Sequence, residues 1–129
     1  MMKKIGDYKM TDHKISAGTF TNIYTGFGNN GRNVAIKEII QSQFVPSPID
    51  EKNKLIVDIQ NCQGKNIAQL HQVVDDYPYF YIVMELGETT LDKILTKNQN
   101  YPYPDREALY AWTQILMGYK FFYKNGVIY

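Results

Sequence analysis

The sequence predicts an α+β fold: a five-stranded antiparallel sheet with one helix between its third and fourth strands, then the first helices of an incomplete helical unit. Three observations predict it. Residues 8–40 alternate in strand fashion and are rich in β-branched and aromatic types. The period then turns helical at Leu55, Ile56, Ile59 and Cys62, after which two more strand patterns appear, IAQLHQVV and YFYIVMEL. From ETTLDKIL onward the patterns are helical, divided by one loop.

Each element has its own signals. The first two strands meet at ISAGTFTNIYTG (residues 15–26), a glycine-poor loop or hairpin tip. FGNNGRN ends the second strand, and Asn30-Gly31 is a dipeptide that favours tight hairpin turns. NVAIKEII is the third strand. Ser47 can then cap a helix with Pro48 at its first position and Asp50 three residues on. The fourth and fifth strands are joined by a turn at DDYP. Thr89 is the expected cap of the short helix ETTLDKIL, with Asp92 at its third position. TKNQNYPYP is a loop, and the last helix starts with Asp105 as its cap and stops at Gly126.

That last helix carries a separate argument. Leu109, Trp112, Ile115, Leu116, Tyr119, Phe122 and Tyr123 fall on one broad face at 100° per residue, and Tyr110, Met117 and Phe121 lie outside it. A helix apolar almost all round belongs inside a larger body, so the chain is expected to be cut short.

Composition sets the outer limits. With 129 residues, 44% hydrophobic and 21% charged, the chain suits one globular domain or a piece of one. Fourteen basic residues nearly balance thirteen acidic ones, so bulk charge favours neither nucleic acid nor acidic lipid. Cys62 is the single cysteine, which excludes an internal disulfide and any cysteine-built zinc site. The first ten residues, MMKKIGDYKM, lack the apolar core of a signal peptide, and no run is long enough to span a bilayer. A cytoplasmic chain without a membrane span is expected.

The residues with chemical potential lie around the third strand. Val34-Ala35-Ile36-Lys37 follows Gly18 by one hairpin, Lys37 standing 19 residues beyond it. Taken alone, such a lysine fits a sheet edge better than a ligand site. The order of the surrounding motifs decides: ISAGTFTNIYTG, then VAIK, then YFYIVMELGETTLDKIL, then Gln114-x-Leu116-x-Gly118 and Asn125-Gly126-Val127-Ile128. In that order they resemble the N-terminal half of a eukaryotic protein kinase domain of the Ser/Thr type, from about Tyr8 to Tyr129.

The resemblance implies a division into an N-terminal tail (1–7), an ATP-binding N-lobe with its linker or hinge (8–87), and the start of an incomplete C-lobe (88–129). It implies that the loop after Ile15 covers the ATP phosphates and that Lys37 contacts the α- and β-phosphates. A fixed cation suits that place because phosphoryl transfer is mostly positioning and charge stabilisation. Met84 becomes the gatekeeper; Glu85 offers its carbonyl and Gly87 its N–H to the adenine edge; Thr90 takes the ribose-contacting place. The cofactor-binding set carried over is Ile15, Ser16, Gly18, Ile23, Ala35, Lys37, Met84, Glu85 and Gly87.

Two departures accompany it. Against G-x-G-x-x-G-x-V the loop reads Ser16-Ala17-Gly18-Thr19-Phe20-Thr21-Asn22-Ile23, keeping one glycine of three. The helical place that should pair an acid with Lys37 falls on Leu55, with Glu51 and Asp58 as the alternatives. Tyr129 occupies the first place of the H-R-D motif, so the catalytic base and the metal-binding residues lie outside the chain. His13 and His71 read as structural or solvated.

The expected parent transfers the γ-phosphoryl of Mg-bound ATP to protein Ser or Thr, and this chain alone is inactive. Its implied partners are ATP and, in the parent, a protein substrate. A pseudokinase that serves as a binding or scaffolding module is the alternative, and a free-standing α+β interaction module is the third reading.

Overall fold

The computed structural model describes residues 2–19, 21–40, 57, 64, 66–97 and 105–124. Its strands are β1 (Lys3–Ile5), β2 (Tyr8–Ala17), β3 (Thr21–Gly28), β4 (Asn33–Ile40), β5 (Leu70–Asp76) and β6 (Tyr79–Glu85). Two helices follow, α1 (Leu91–Lys97) and α2 (Asp105–Lys124). All described strands form one antiparallel sheet in the order β1-β2-β3-β4-β6-β5.

The sheet has six strands where five were expected. The added strand is β1, which pairs Ile5 with Tyr8 and Lys3 with Met10. Three residues with one apolar side chain are too short to show an alternation, so β1 was invisible to periodicity. The helix expected after β4 lies outside the described residues, except for Val57, which is helical and about half exposed.

Apolar side chains pack on both faces of the sheet. On one, Val34 and Ile36 of β4 meet Ile5, Met10, Tyr81 and Val83. On the other, Ile39 meets Phe80 and Ile82, with Leu70, Val73 and Met84 against them. Central strands buried on two sides need apolar residues at consecutive positions, which is why NVAIKEII and YFYIVME are nearly continuous apolar runs. Glu38 is the exception on the first face. Its carboxylate accepts from the Tyr81 hydroxyl at 3.1 Å and from Asn22 Nδ2 at 3.4 Å.

The turns follow their sequence signals. At the β3–β4 turn the Asn30 side chain accepts the Arg32 N–H at 2.9 Å, and Gly31 takes φ +76°. The β5–β6 turn falls at Tyr77-Pro78, within DDYP. At α1 the cap is Thr90 rather than Thr89: its Oγ1 accepts the Lys93 N–H at 3.1 Å. Both threonines offer the same chemistry, and the backbone register chose between them. Asp105, expected as a cap, is the first helical residue of α2.

α2 docks by a face other than its most apolar one. Gly118 is buried against the backbone carbonyl of Asn66, so close that a Cβ would lie 2.9 Å from that oxygen. Ala111, Gln114, Phe121 and Phe122 are half-buried. Leu109, Trp112, Ile115, Leu116, Tyr119 and Tyr123 are exposed, Tyr123 at 75%. A small residue permits closer backbone approach than any large side chain, so Gly118 sets the contact.

Candidate functional site

Directly paired residues in an antiparallel ladder present their side chains on one face. Two rows of such pairs cross the middle of the sheet. Ile23 on β3 pairs with Lys37 on β4, and Lys37 with Ile82 on β6. In the next row Thr25 pairs with Ala35, Ala35 with Met84, and Met84 with Leu70. Ser16 extends the first row, opposite Ile23. Ser16, Ile23, Ala35, Lys37 and Met84 therefore share a face, the one that also carries Ile39, Phe80 and Ile82.

Lys37 is half-buried between Ile23 and Ile82. Such neighbours suit the four-carbon stem of lysine, whose charged end needs a polar group or water. Among the described residues Lys37 has no ion-pair partner. Its sequence neighbour Glu38 lies on the opposite face, held by Tyr81 and Asn22. Glu51, Leu55 and Asp58 lie outside the described residues. Ala35, beside Met84, contributes only a methyl group to its row.

The hairpin tip is built differently from its neighbours. From Lys14↔Tyr24 to Ser16↔Ile23 the pairing advances two residues on β2 and one on β3, so Ile15 is the extra residue of a bulge. It is half-buried, while Ser16 and Gly18 are exposed. The Gly18 N–H donates to the Thr21 carbonyl at 2.7 Å, which closes the turn. Phe20 lies outside the described residues.

At the other end of the site β6 runs into the linker. The Glu85 N–H donates to the Gln69 carbonyl at 2.8 Å, and the Gln69 N–H donates to Glu85 Oε2 at 3.0 Å. This reciprocal pair fixes the end of β6 against the chain entering β5. No local pattern announces it, because sixteen positions separate the two residues. Gly87 is exposed, and a Cβ there would come no closer than 3.7 Å to its nearest neighbour. Thr90, expected at the ribose-contacting place, spends its hydroxyl as the cap of α1. His13 is exposed, and His71 stacks on Tyr8.

Charge and burial shape the opposite face. Lys3 is held above the ordinary lysine range, chiefly by its hydrogen bond to Tyr81 and then by Asp76. Burial pushes the Tyr81 phenol up.

The family model of the protein kinase domain matches residues 10–129. The chain belongs to the protein kinase family. Its similarity to individual kinases is lower. It is 29% identical over 127 residues to a probable myosin light chain kinase of Dictyostelium discoideum, covering 96% of this chain and 32% of that protein. It is 25% identical over 129 residues to MAP3K epsilon protein kinase 1 of Brassica napus, covering 98% of this chain and 10% of that one. Serine/threonine-protein kinase PLK4 of Xenopus tropicalis is 25% identical over 126 residues, with 95% and 13% covered. The kinase-family chain thus spans about a third or less of the length of these relatives. The curled antiparallel sheet followed by helices agrees with a kinase domain. No described helix is long and apolar enough to cross a membrane.

Proposed function

We propose that the Lys37 face of the sheet is a nucleotide site, and that the whole protein uses it to transfer the γ-phosphoryl group of ATP to Ser or Thr of a protein substrate. The observation that carries this reading is the pair of rows Ser16–Ile23–Lys37–Ile82 and Ala35–Met84, which lead to the linker in a kinase-family chain. Lys37 is the cation for the α- and β-phosphates. Ile23 and Ala35 bound the adenine slot, with Ile15 at its rim and Met84 at its back. The Glu85 carbonyl and the Gly87 N–H meet the adenine edge, and the Gln69 clamp orients that peptide. Ser16 and Gly18 roof the phosphates.

On this reading Mg²⁺ enters bound to the phosphates of ATP. The site is placed in the cytoplasm, where Cys62 stays reduced.

One observation favours the pseudokinase reading. The Gly18 N–H is already used inside the turn, by the Thr21 carbonyl, so it is not available to a phosphate oxygen. Titration with a fluorescent ATP analogue, competed by unlabelled ATP and by GTP, tests the proposal. Saturable binding displaced by ATP in preference to GTP is expected; no saturable binding would overturn it.

A further inference from the structure

The sheet order places β1 and β5 at opposite edges, with four strands between them. Their side chains nevertheless meet. Lys3 Nζ lies 3.1 Å from Asp76 Oδ2, at the end of β5, and donates to Tyr81 Oη at 2.8 Å. It also sits over the Tyr81 ring, 4.9 Å from the centroid. The Asp7 N–H donates to Gln72 Oε1 at 3.1 Å. Tyr8 stacks on His71 with ring centroids 6.2 Å apart. Gly6 sits between these contacts, where a Cβ would fall 2.5 Å from Gln72 Oε1. Ile5 is 1% exposed and packs with Tyr81 and Val83. The sheet is therefore rolled, and its edges are joined by a seam of side chains where the pairing records no β1–β5 ladder.

We propose that residues 3–7 are a strap that holds the rolled sheet shut along this seam, and that its release loosens the strands carrying the nucleotide site. Two routes lead from strap to site. Tyr81, which receives Lys3, donates to Glu38, the residue next to Lys37 on β4. β5, which receives Lys3 at Asp76, is bound at its other end to Glu85 through Gln69. Anything that captures, removes or neutralises Lys3 acts on both. The seam stands on its own contacts; its effect on nucleotide binding rests on the reading above.

The test uses the full chain with Lys3→Glu, Asp76→Lys and the double exchange. Lys3 and Asp76 side chains are 46% and 51% exposed, so neither change disturbs the buried set. Two quantities are read: hydrogen exchange of the β5 amides that bond to β6, and affinity for the ATP analogue. The strap predicts that Lys3→Glu raises β5 exchange about five- to tenfold and weakens nucleotide binding, with the β3–β4 ladder unchanged and the double exchange restoring much of both. Unchanged β5 exchange would overturn the strap. Raised exchange with unchanged affinity would overturn its link to the site. If the unaltered protein fails to bind the analogue, the nucleotide reading falls, while the exchange arm still decides the strap.

Discussion

Gly26 lies in the middle of β3, where a single methyl group has nowhere to go. A Cβ built there falls 2.5 Å from Ile36 Cδ1 and 2.7 Å from the Lys9 carbonyl oxygen. Carbon atoms pack at about 3.5–4.0 Å, so the first contact is short by about 1 Å. Ile36 is fully buried and cannot swing aside, and the Lys9 carbonyl belongs to the β2 backbone. Gly26→Ala must therefore push β2 from β3, at a cost of about 2–3 kcal/mol. Gly31→Ala is the control. With φ at +76° and nothing within 4 Å of the added carbon, it carries conformational strain alone, about 1 kcal/mol. At about 2.1 cal/mol/K per residue, 129 residues unfold with about 0.27 kcal/mol/K, so the melting point drops by about 7–11 °C for Gly26→Ala and about 4 °C for Gly31→Ala. Far-UV circular dichroism melts of the three proteins measure this. Equal losses, or a larger loss for Gly31→Ala, would refute the steric reasoning.

Other expectations follow from single contacts. Thr90→Ala removes the cap of α1 and costs about 1 kcal/mol, seen as faster hydrogen exchange confined to the first turn of that helix; Thr89→Ala leaves it unchanged. Gly118→Leu drives a side chain into the Asn66 carbonyl and detaches α2, which crosslinking between residues 66 and 117 detects as lost proximity. Trp112→Glu with Leu109→Lys raises the concentration at which the chain stays monodisperse in light scattering, because both side chains are exposed. Alkaline pH destabilises the seam: Lys3 and Tyr81 both bind their protons more tightly when folded, with ordinary values of 10.5 and 10.0. The folded state then holds more protons than the unfolded one above about pH 10, so stability falls as pH rises there. Tyr81→Phe flattens that part of the pH–melting curve.

Much of the fold was legible because its signals are local. The alternation of β2 and β3, the Asn30-Gly31 turn and the apolar runs of β4 and β6 each mark their element within a few residues. β1 escaped because its only apolar contact, Ile5, reaches Tyr81 and Val83 far along the chain. Periodicity marked the broad apolar face of α2, which is exposed, but not the contact that docks the helix, because that contact is set by Gly118, which no hydrophobic pattern marks.

The candidate site shows the same division. Local motifs marked VAIK and YFYIVMEL, but the register that aligns Ile23 with Lys37 and Ile82, and Ala35 with Met84, emerges only from the assembled sheet. The Gly18 turn bond, the Glu85–Gln69 clamp and the use of Thr90 as a cap depend on backbone geometry that residue identities do not encode.

The most direct measurement compares the ATP-analogue affinity of the unaltered chain with that of Lys37→Met, each checked for an unchanged melt. Here the methionine keeps the apolar stem between Ile23 and Ile82 and removes only the charge. A loss of tenfold or more in affinity with the fold intact is the predicted result; matching affinities would contradict the assignment of that face to nucleotide binding.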